Sequence, residues 1–321
     1  MKVKTLYMLF PCYNEEEVLL ETATRAKTKL NHLISNKKIS DKSKIVFIND
    51  GSKDSTWDII KKLHQEEKIF SGINLTRNRG HQNALLAGLM TVKDLCDFTI
   101  SMDVDLQDDI EAIDEMVEKY HQGNDIVYGV RDNRDTDTKF KKNTAVLYYK
   151  VLKFLGNDSI ANHADFRLMS NRALNGLAEF KEVNLFLRGL VPMIGYKNDV
   201  VYYKRNERFA GVSKYPLKKM ITFAIEGITS LSVKPLRLIS GVGVLSFAIS
   251  IIFAIYFIIQ HFLGSTISGW ASTIVSIWAI GGLQLLALGI IGEYIGKIFL
   301  ETKERPRYIV QDFLNENYSV E

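Results

Sequence analysis

From Leu238 to Gly292 the chain carries no Asp, Glu, Lys or Arg. An uncharged run of fifty-five residues is too long for one membrane helix and fits a hairpin of two. Leu238–Ile259 is almost wholly apolar. As a helix rising ~1.5 Å per residue it reaches roughly 33 Å, close to the hydrocarbon thickness of a bilayer. After His261 and a turn rich in Gly, Ser and Thr, Thr273–Gly292 supplies a second span. The soluble alternative, a buried pair of core helices, is disfavoured by the length of the run. A cleavable signal peptide is not expected, because the only apolar run near the N-terminus is Leu6–Phe10.

The flanks orient the hairpin. Lys214, Lys218, Lys219, Lys234 and Arg237 precede the first span, and Lys297, Lys303, Arg305 and Arg307 follow the second. The connection has no Lys or Arg, so the positive-inside rule puts both termini and the rest of the chain in the cytosol, at a plasma membrane crossed twice. Between the parts, Leu217, Met220, Ile221, Ala224, Ile228 and Leu231 recur at helical spacing, opposite Lys218, Lys219 and Glu226. Residues 214–235 therefore read as an amphipathic helix lying in the headgroup plane, with packing on the soluble domain as the alternative. Residues 236–300 hold the hairpin and 301–321 form a cytosolic tail.

Residues 1–213 are enough for one sizeable core. Strands are expected at Thr5–Phe10, Lys44–Ile48, Gly72–Leu75, Phe98–Met102 and Asp125–Gly129. Helices are expected at Glu15–Leu33, Thr56–Glu67, His81–Val92 and Ile110–His121. This alternation predicts an α/β fold with a mostly parallel sheet, in which ligands bind beyond the carboxyl ends of the strands. Net charge is only +4, too weak a bias for a nucleic-acid partner. Cys12 and Cys96 lie far apart with no zinc or redox spacing and read as small hydrophobes.

A polar cluster follows each of the first four strands: Pro11-Cys12-Tyr13-Asn14-Glu15-Glu16, Asn49-Asp50-Gly51-Ser52, Arg77-Asn78-Arg79-Gly80-His81, and Asp103-Val104-Asp105-Leu106-Gln107-Asp108. Singly each has a bland reading: a turn, first-turn acids, or a capping histidine for His81. Asp103-x-Asp105 is the most specific. In an extended segment alternate side chains share a side, so the two carboxylates converge while Met102 and Val104 face the core. Paired hard oxygens at a loop mouth suit Mg²⁺ or Mn²⁺ held jointly with substrate phosphates.

These motifs, in this order, resemble the inverting family 2 glycosyltransferases of GT-A (Rossmann-like) fold. The likeness continues through Ala164-Asp165-Phe166-Arg167-Leu168-Met169, through Arg205-x-x-Arg208-x-x-Gly211-x-Ser213-Lys214-Tyr215, and into the hairpin. That set is similar to the polyprenyl-phosphate glycosyltransferases, which include bacterial bactoprenol glucosyltransferases and dolichol-phosphate mannose synthases. The resemblance implies that Pro11, Tyr13 and Glu15 cradle base and ribose, that Asp50 bonds the base, and that Arg79 and Asp103 complete the nucleotide site. It implies that Asp103 and Asp105, supported by Gln107, hold a metal, and that Asp165 sits at the reacting centre. Arg131, Arg205, Arg208, Ser213 and Lys214 would bind the acceptor phosphate, with Arg131 and Arg134 in a mobile basic loop. Asn49 and Asp109 stand where relatives often carry Asp and Pro.

The implied reaction moves a hexose from a nucleotide sugar to a polyprenyl phosphate such as undecaprenyl phosphate, giving a lipid donor for cell-envelope glycans. UDP-glucose leads among donors, then UDP-N-acetylglucosamine, then GDP-mannose. Asp165 is either a general base or an orienting group, and homo-oligomerisation is open. Two rivals fail on residues. A processive glycan synthase would carry Gln-x-x-Arg-Trp, yet none of Trp57, Trp270 and Trp278 follows an Arg. A nicotinamide or ATP enzyme needs a Gly-rich loop after a strand, whereas Gly241-x-Gly243 lies in a span. A non-catalytic membrane scaffold would not need the acidic pair and the Arg-x-x-Arg segment together.

Overall fold

The computed structural model describes residues 3–132, 163–205, 233–263 and 269–315. Chain order is β1 (Leu6–Cys12), α1 (Leu19–Ser35), β2 (Lys44–Asn49), α2 (Thr56–Glu66), β3 (Phe70–Leu75), α3 (His81–Val92), β4 (Phe98–Ser101), α4 (Ile113–His121) and β5 (Ile126–Arg131). Then come β6 (His163–Ser170), α5 (Asn171–Ala178), α6 (Leu187–Met193), β7 (Asn198–Tyr203), α7 (Lys234–Phe262), α8 (Trp270–Thr302) and β8 (Val310–Leu314). Every strand and helix expected from the sequence within residues 1–213 is present, with ends shifted by a few residues. Two helices start late. Glu15–Val18 is a turn before α1, and Ile110–Ala112 is a 3₁₀ turn before α4.

The strands form one sheet in the order β7-β5-β6-β4-β1-β2-β3-β8. β1 pairs in parallel with β2 and β4, and β2 with β3. β6 runs antiparallel between β4 and β5, while β7 is parallel to β5. The amino end of β6 therefore reaches the sheet end where the parallel strands finish, and it brings Asp165 with it. All seven residues of β1 are buried, as a strand covered on both faces requires. Their alternation sorts the core. Leu6, Met8, Phe10 and Cys12 join α1, α2 and α4 on one face, and Tyr7 and Leu9 join α3, α5 and α6 on the other. Pro11 fits a central strand because it lies past the last β1–β4 pair, Leu9 with Ser101. The Leu9 carbonyl accepts from Met102 N, so the missing N–H of Pro11 points beyond the ladder.

Residues 301–321 are expected from the sequence to form a tail, yet their described part, 301–315, contributes to the domain. Within them β8 pairs antiparallel with β3. Asn74 Nδ2 donates to Asp312 Oδ2 at 2.9 Å, and Ser71 Oγ to the Leu314 carbonyl at 2.5 Å. Among the described residues two helices are long and apolar enough to cross a membrane, over Lys234–Phe253 and Ala279–Thr302, with mean hydropathy 2.1 and 1.6. Their described side chains are largely uncovered, with Ile252 66% and Leu285 72% exposed. Apolar faces of that size are at home in lipid. Pro235 lies in the first turn of α7, where its missing N–H costs nothing. The amphipathic helix expected over 214–235 lies, apart from its last three residues, outside the described residues, as do Arg134, Arg208, Ser213 and Lys214.

Candidate active site

Three loops at the carboxyl end of the sheet are tied together by their own polar side chains. Asn14, in the left-handed region at φ 53°, accepts from Lys53 N at 2.8 Å and donates its own N–H to Ser52 Oγ at 3.0 Å. Glu15 N donates to Thr56 Oγ1, and Glu16 accepts from Ser55 N. Gly51 has φ +64°, and a Cβ there would lie 2.5 Å from Asn78 N and 2.6 Å from Arg77 C. Only glycine fits so close to the β3–α3 loop. Beside it the buried Asp50 carboxylate accepts from Arg79 N at 2.7 Å and Gly80 N at 2.9 Å. Burial pushes this carboxyl up despite both N–H groups. Asp50 thus holds the loop that carries Arg79, whose Nε is buried with no hydrogen-bond partner among the described residues. Pro11 is buried at the strand end, Glu15 is half-buried and Tyr13 is 38% exposed.

The two departures from the family pattern have local reasons. Asn49 Nδ2 donates to Asn74 Oδ1 at 2.8 Å, which an Asp could not do. Asp109 Oδ1 caps the 3₁₀ turn by accepting from Glu111 N at 3.0 Å.

The acidic turn is built with strain. Met102 and Val104 are buried and Asp103 and Asp105 are half-buried, the alternation expected. Leu106 then adopts φ 58°, an uncommon conformation for a side chain branched at Cγ and a strained one. The turn is pinned by Thr22 Oγ1 donating to the Val104 carbonyl at 2.7 Å and by Gln107 N donating to Asp105 Oδ1 at 3.1 Å. Gln107 Oε1 accepts from Arg205 Nη2, which brings that arginine to the acidic turn. Arg131 belongs to the wall behind it. Its guanidinium donates to buried Asp108 at 3.0 Å and to the Tyr203 hydroxyl at 3.3 Å, and that hydroxyl donates to Asp108 at 2.5 Å. Arg131 is therefore already neutralised by Asp108.

The centre was not legible as a unit. β4 and β6 pair Ser101 with Arg167, so Asp103 and Asp165 lie two residues beyond that pair, on facing segments. Arg188, on α6, grips Asp165 with both fork nitrogens, Nε to Oδ1 at 3.2 Å and Nη2 to Oδ2 at 3.0 Å. His81 Nε2 lies 3.5 Å from both Asp165 Oδ2 and Asp103 Oδ1. Behind them Arg167, 2% exposed, has Nη2 3.6 Å from Asp165 Oδ1 and its guanidinium 5.7 Å over the Tyr128 ring. His81, Arg167 and Arg188 were missed as partners of Asp165. For His81 the available signal was its position after β3, at the start of α3.

Electrostatics follow from this packing. Burial opposes the charge of Asp165, but Arg188 and His81 outweigh it and hold the carboxyl well below its usual range. Burial also opposes the charge of His81, yet the Asp165 hydrogen bond and the Asp103 charge raise it to about 9. Asp103 behaves oppositely. Desolvation first, then Asp108, Asp165 and Asp105, push it up to about 6 against the pull of His81. The acidic turn thus carries crowded negative charge that a cation would relieve. Among the described residues no three acidic, histidine or cysteine side chains form a complete metal cluster. Two carboxylates alone suit a hard cation whose shell is completed by phosphate oxygens and water.

Residues 8–177 match the family model described as glycosyl transferase family 2. The Bacillus subtilis (strain 168) protein described as uncharacterized glycosyltransferase YkoT is 52% identical over 315 residues, which cover 98% of this chain and 94% of that one. The bactoprenol glucosyl transferase of Shigella phage SfX is 42% identical over 269 residues, covering 83% of this chain and 88% of its own. The prophage bactoprenol glucosyl transferase homolog of Escherichia coli (strain K12) is 38% identical over 308 residues, 95% and 97% of the two chains.

Proposed function

The chain belongs to glycosyl transferase family 2, and on that premise we propose that it transfers a hexose, from UDP-glucose before other nucleotide sugars, to undecaprenyl or a similar polyprenyl phosphate at the cytosolic face of the plasma membrane. One observation carries the reading. An acidic pair and an ionised Asp165–Arg188 centre meet at one sheet end, in a chain that continues into two apolar helices. The two relatives named for bactoprenol glucosyl transfer supply the acceptor class.

In this reading Pro11, Tyr13, Glu15, Asp50 and Arg79 bind the nucleotide, and the orphaned Arg79 Nε supplies a donor for a diphosphate oxygen. Asp103 and Asp105, with Gln107 supporting their turn, hold Mg²⁺ or Mn²⁺. When bound, that ion offsets the charge developing on the leaving diphosphate. Arg205, Arg208, Ser213 and Lys214 receive the acceptor phosphate, with Arg131 behind them. One phosphate oxygen attacks the anomeric carbon as the bond to the nucleoside diphosphate breaks, and the configuration inverts. A phosphate monoester with its second pKa near ~6 is already largely dianionic at neutral pH, so no proton needs to be removed. Asp165 then orients rather than accepts a proton, since protonation would cost it Arg188 and His81.

The test is to incubate the purified full chain with undecaprenyl phosphate and UDP-glucose, UDP-N-acetylglucosamine or GDP-mannose, then weigh the lipid. The expected product is lipid phosphate heavier by one hexose, formed from UDP-glucose. Lipid unchanged with every donor would overturn the reading.

A further inference from the structure

The loop joining α5 to α6, residues 180–186, is held by groups from the far end of the chain. Glu301, in the last turn of α8, accepts from Val183 N at 2.8 Å through one oxygen. Its other oxygen accepts from Asn184 N at 2.8 Å and Asn184 Nδ2 at 2.7 Å. Beyond the helix, Arg307 Nη1 donates to the Phe180 and Glu182 carbonyls at 3.1 and 3.3 Å. The loop is thus gripped through its N–H groups by a carboxylate and through its carbonyls by a guanidinium.

This loop leads directly into α6. Leu187 N donates to Gln82 Oε1 at 2.8 Å, and Arg188 makes the fork on Asp165. α6 has seven residues, too few to hold itself as an isolated helix. Leu187, Leu190 and Val191 pack into the core and fix its depth. The entry of the chain is held by the Gln82 bond to Leu187 N and, upstream at Val183 and Asn184, by the Glu301 contacts. The helix whose upper turns face lipid therefore ends on the segment that aims the Asp165 partner.

We propose that Glu301 is a positioning residue of the transferase site, acting through the 180–186 loop to hold Arg188 on Asp165. The second apolar helix is by this account part of the catalytic apparatus as well as an anchor. Only the kinetic arm of the test rests on the function proposed above.

The experiment uses the full chain in detergent or liposomes, with Glu301→Ala, Arg188→Ala and the double variant. Glu301→Ala should lower kcat by roughly tenfold to a hundredfold, the cost of misaligning one catalytic contact, with KM for the nucleotide sugar unchanged. In the Arg188→Ala background it should cost nothing further, because both changes break the same linkage. Hydrogen exchange at 183–188 should quicken in Glu301→Ala while β1 to β4 stay protected. That arm needs no substrate, so a chain that makes no lipid product still tests the latch. Unaltered exchange at 183–188, effects that multiply in the double variant, or a loss confined to KM would each overturn it. If Glu301→Ala does not fold, Glu301→Gln, which keeps one acceptor oxygen, is put through the same arms with the same criteria.

Discussion

Replacing Asp165 by Asn keeps the shape of the side chain and one acceptor oxygen and removes the charge. Four cationic contacts converge on that carboxylate within 3.6 Å: both fork nitrogens of Arg188, His81 and Arg167. An ordinary Asp with pKa about 3.9 is already about 4 kcal/mol from a proton-matched base at pH 7, and these contacts widen the gap. Asp165 should therefore act through what it holds. Losing its charge-assisted grip on Arg188 is worth about 1.5–3 kcal/mol, or roughly ten- to 150-fold in kcat. The assay is kcat/KM against pH for wild type and Asp165→Asn, at saturating Mn²⁺ so that Asp103 stays ionised. Both profiles should fall on the acid side with the second ionisation of the acceptor phosphate, near ~6. The mutant profile should be lower and should keep that acidic limb. An acidic limb present in wild type and gone in Asp165→Asn would refute the reasoning, because it would make Asp165 the titrating base.

Turnover should require Mg²⁺ or Mn²⁺, and Asp105→Ala should abolish it in a chain that still folds; full activity in excess chelator would remove the ion from the reaction. Gly51→Ala sets a methyl 2.5 Å from Asn78 N at a φ of +64°, so it should cost about 2–4 kcal/mol in strain and overlap and weaken UDP binding, read by thermal shift and titration. Asp114 bonds buried Lys29 at 2.8 Å, and although burial opposes it, that bond lowers the Asp114 pKa. A depressed folded pKa stabilises above the unfolded value of about 3.9 and is lost as pH falls through the folded one, so Asp114→Asn should cost about 1–3 kcal/mol at pH 7 and nothing in strong acid, by denaturant unfolding. Cysteines placed near Ser268 should label from outside the cell and those near Ser319 should not; the reverse pattern would invert the proposed orientation.

What the sequence made legible was local. Asp103-x-Asp105 and Asn49-Asp50-Gly51-Ser52 each sit within one strand–loop junction, so period-two alternation and turn chemistry suffice to read them. The centre needed β6. That strand alternates Phe166 and Leu168 with Asp165 and Arg167, but charges inside a buried strand hide it from an apolar scan. Arg188 lies on a seven-residue helix containing Pro192, too short for a period to emerge. Asp50 reads as a base ligand by resemblance. That its oxygens hold the Arg79 and Gly80 amides could be learned only once β2 and β3 were side by side.

β8 has a consequence for how such a chain is made. β3 is complete early in synthesis, yet the strand that covers its edge follows both apolar helices. Until the ribosome has delivered the hairpin and the bilayer has taken it up as proposed, Gly72–Leu75 presents unpaired N–H and C=O groups, a template for joining other chains. The sheet therefore cannot close on this edge before β8, which follows both apolar helices, has been made. A fragment cut before α7 would be a sheet with one side open, more prone to cluster than to work. A chain that stops short of β8 would leave that edge of the sheet unpaired and open to association with other chains.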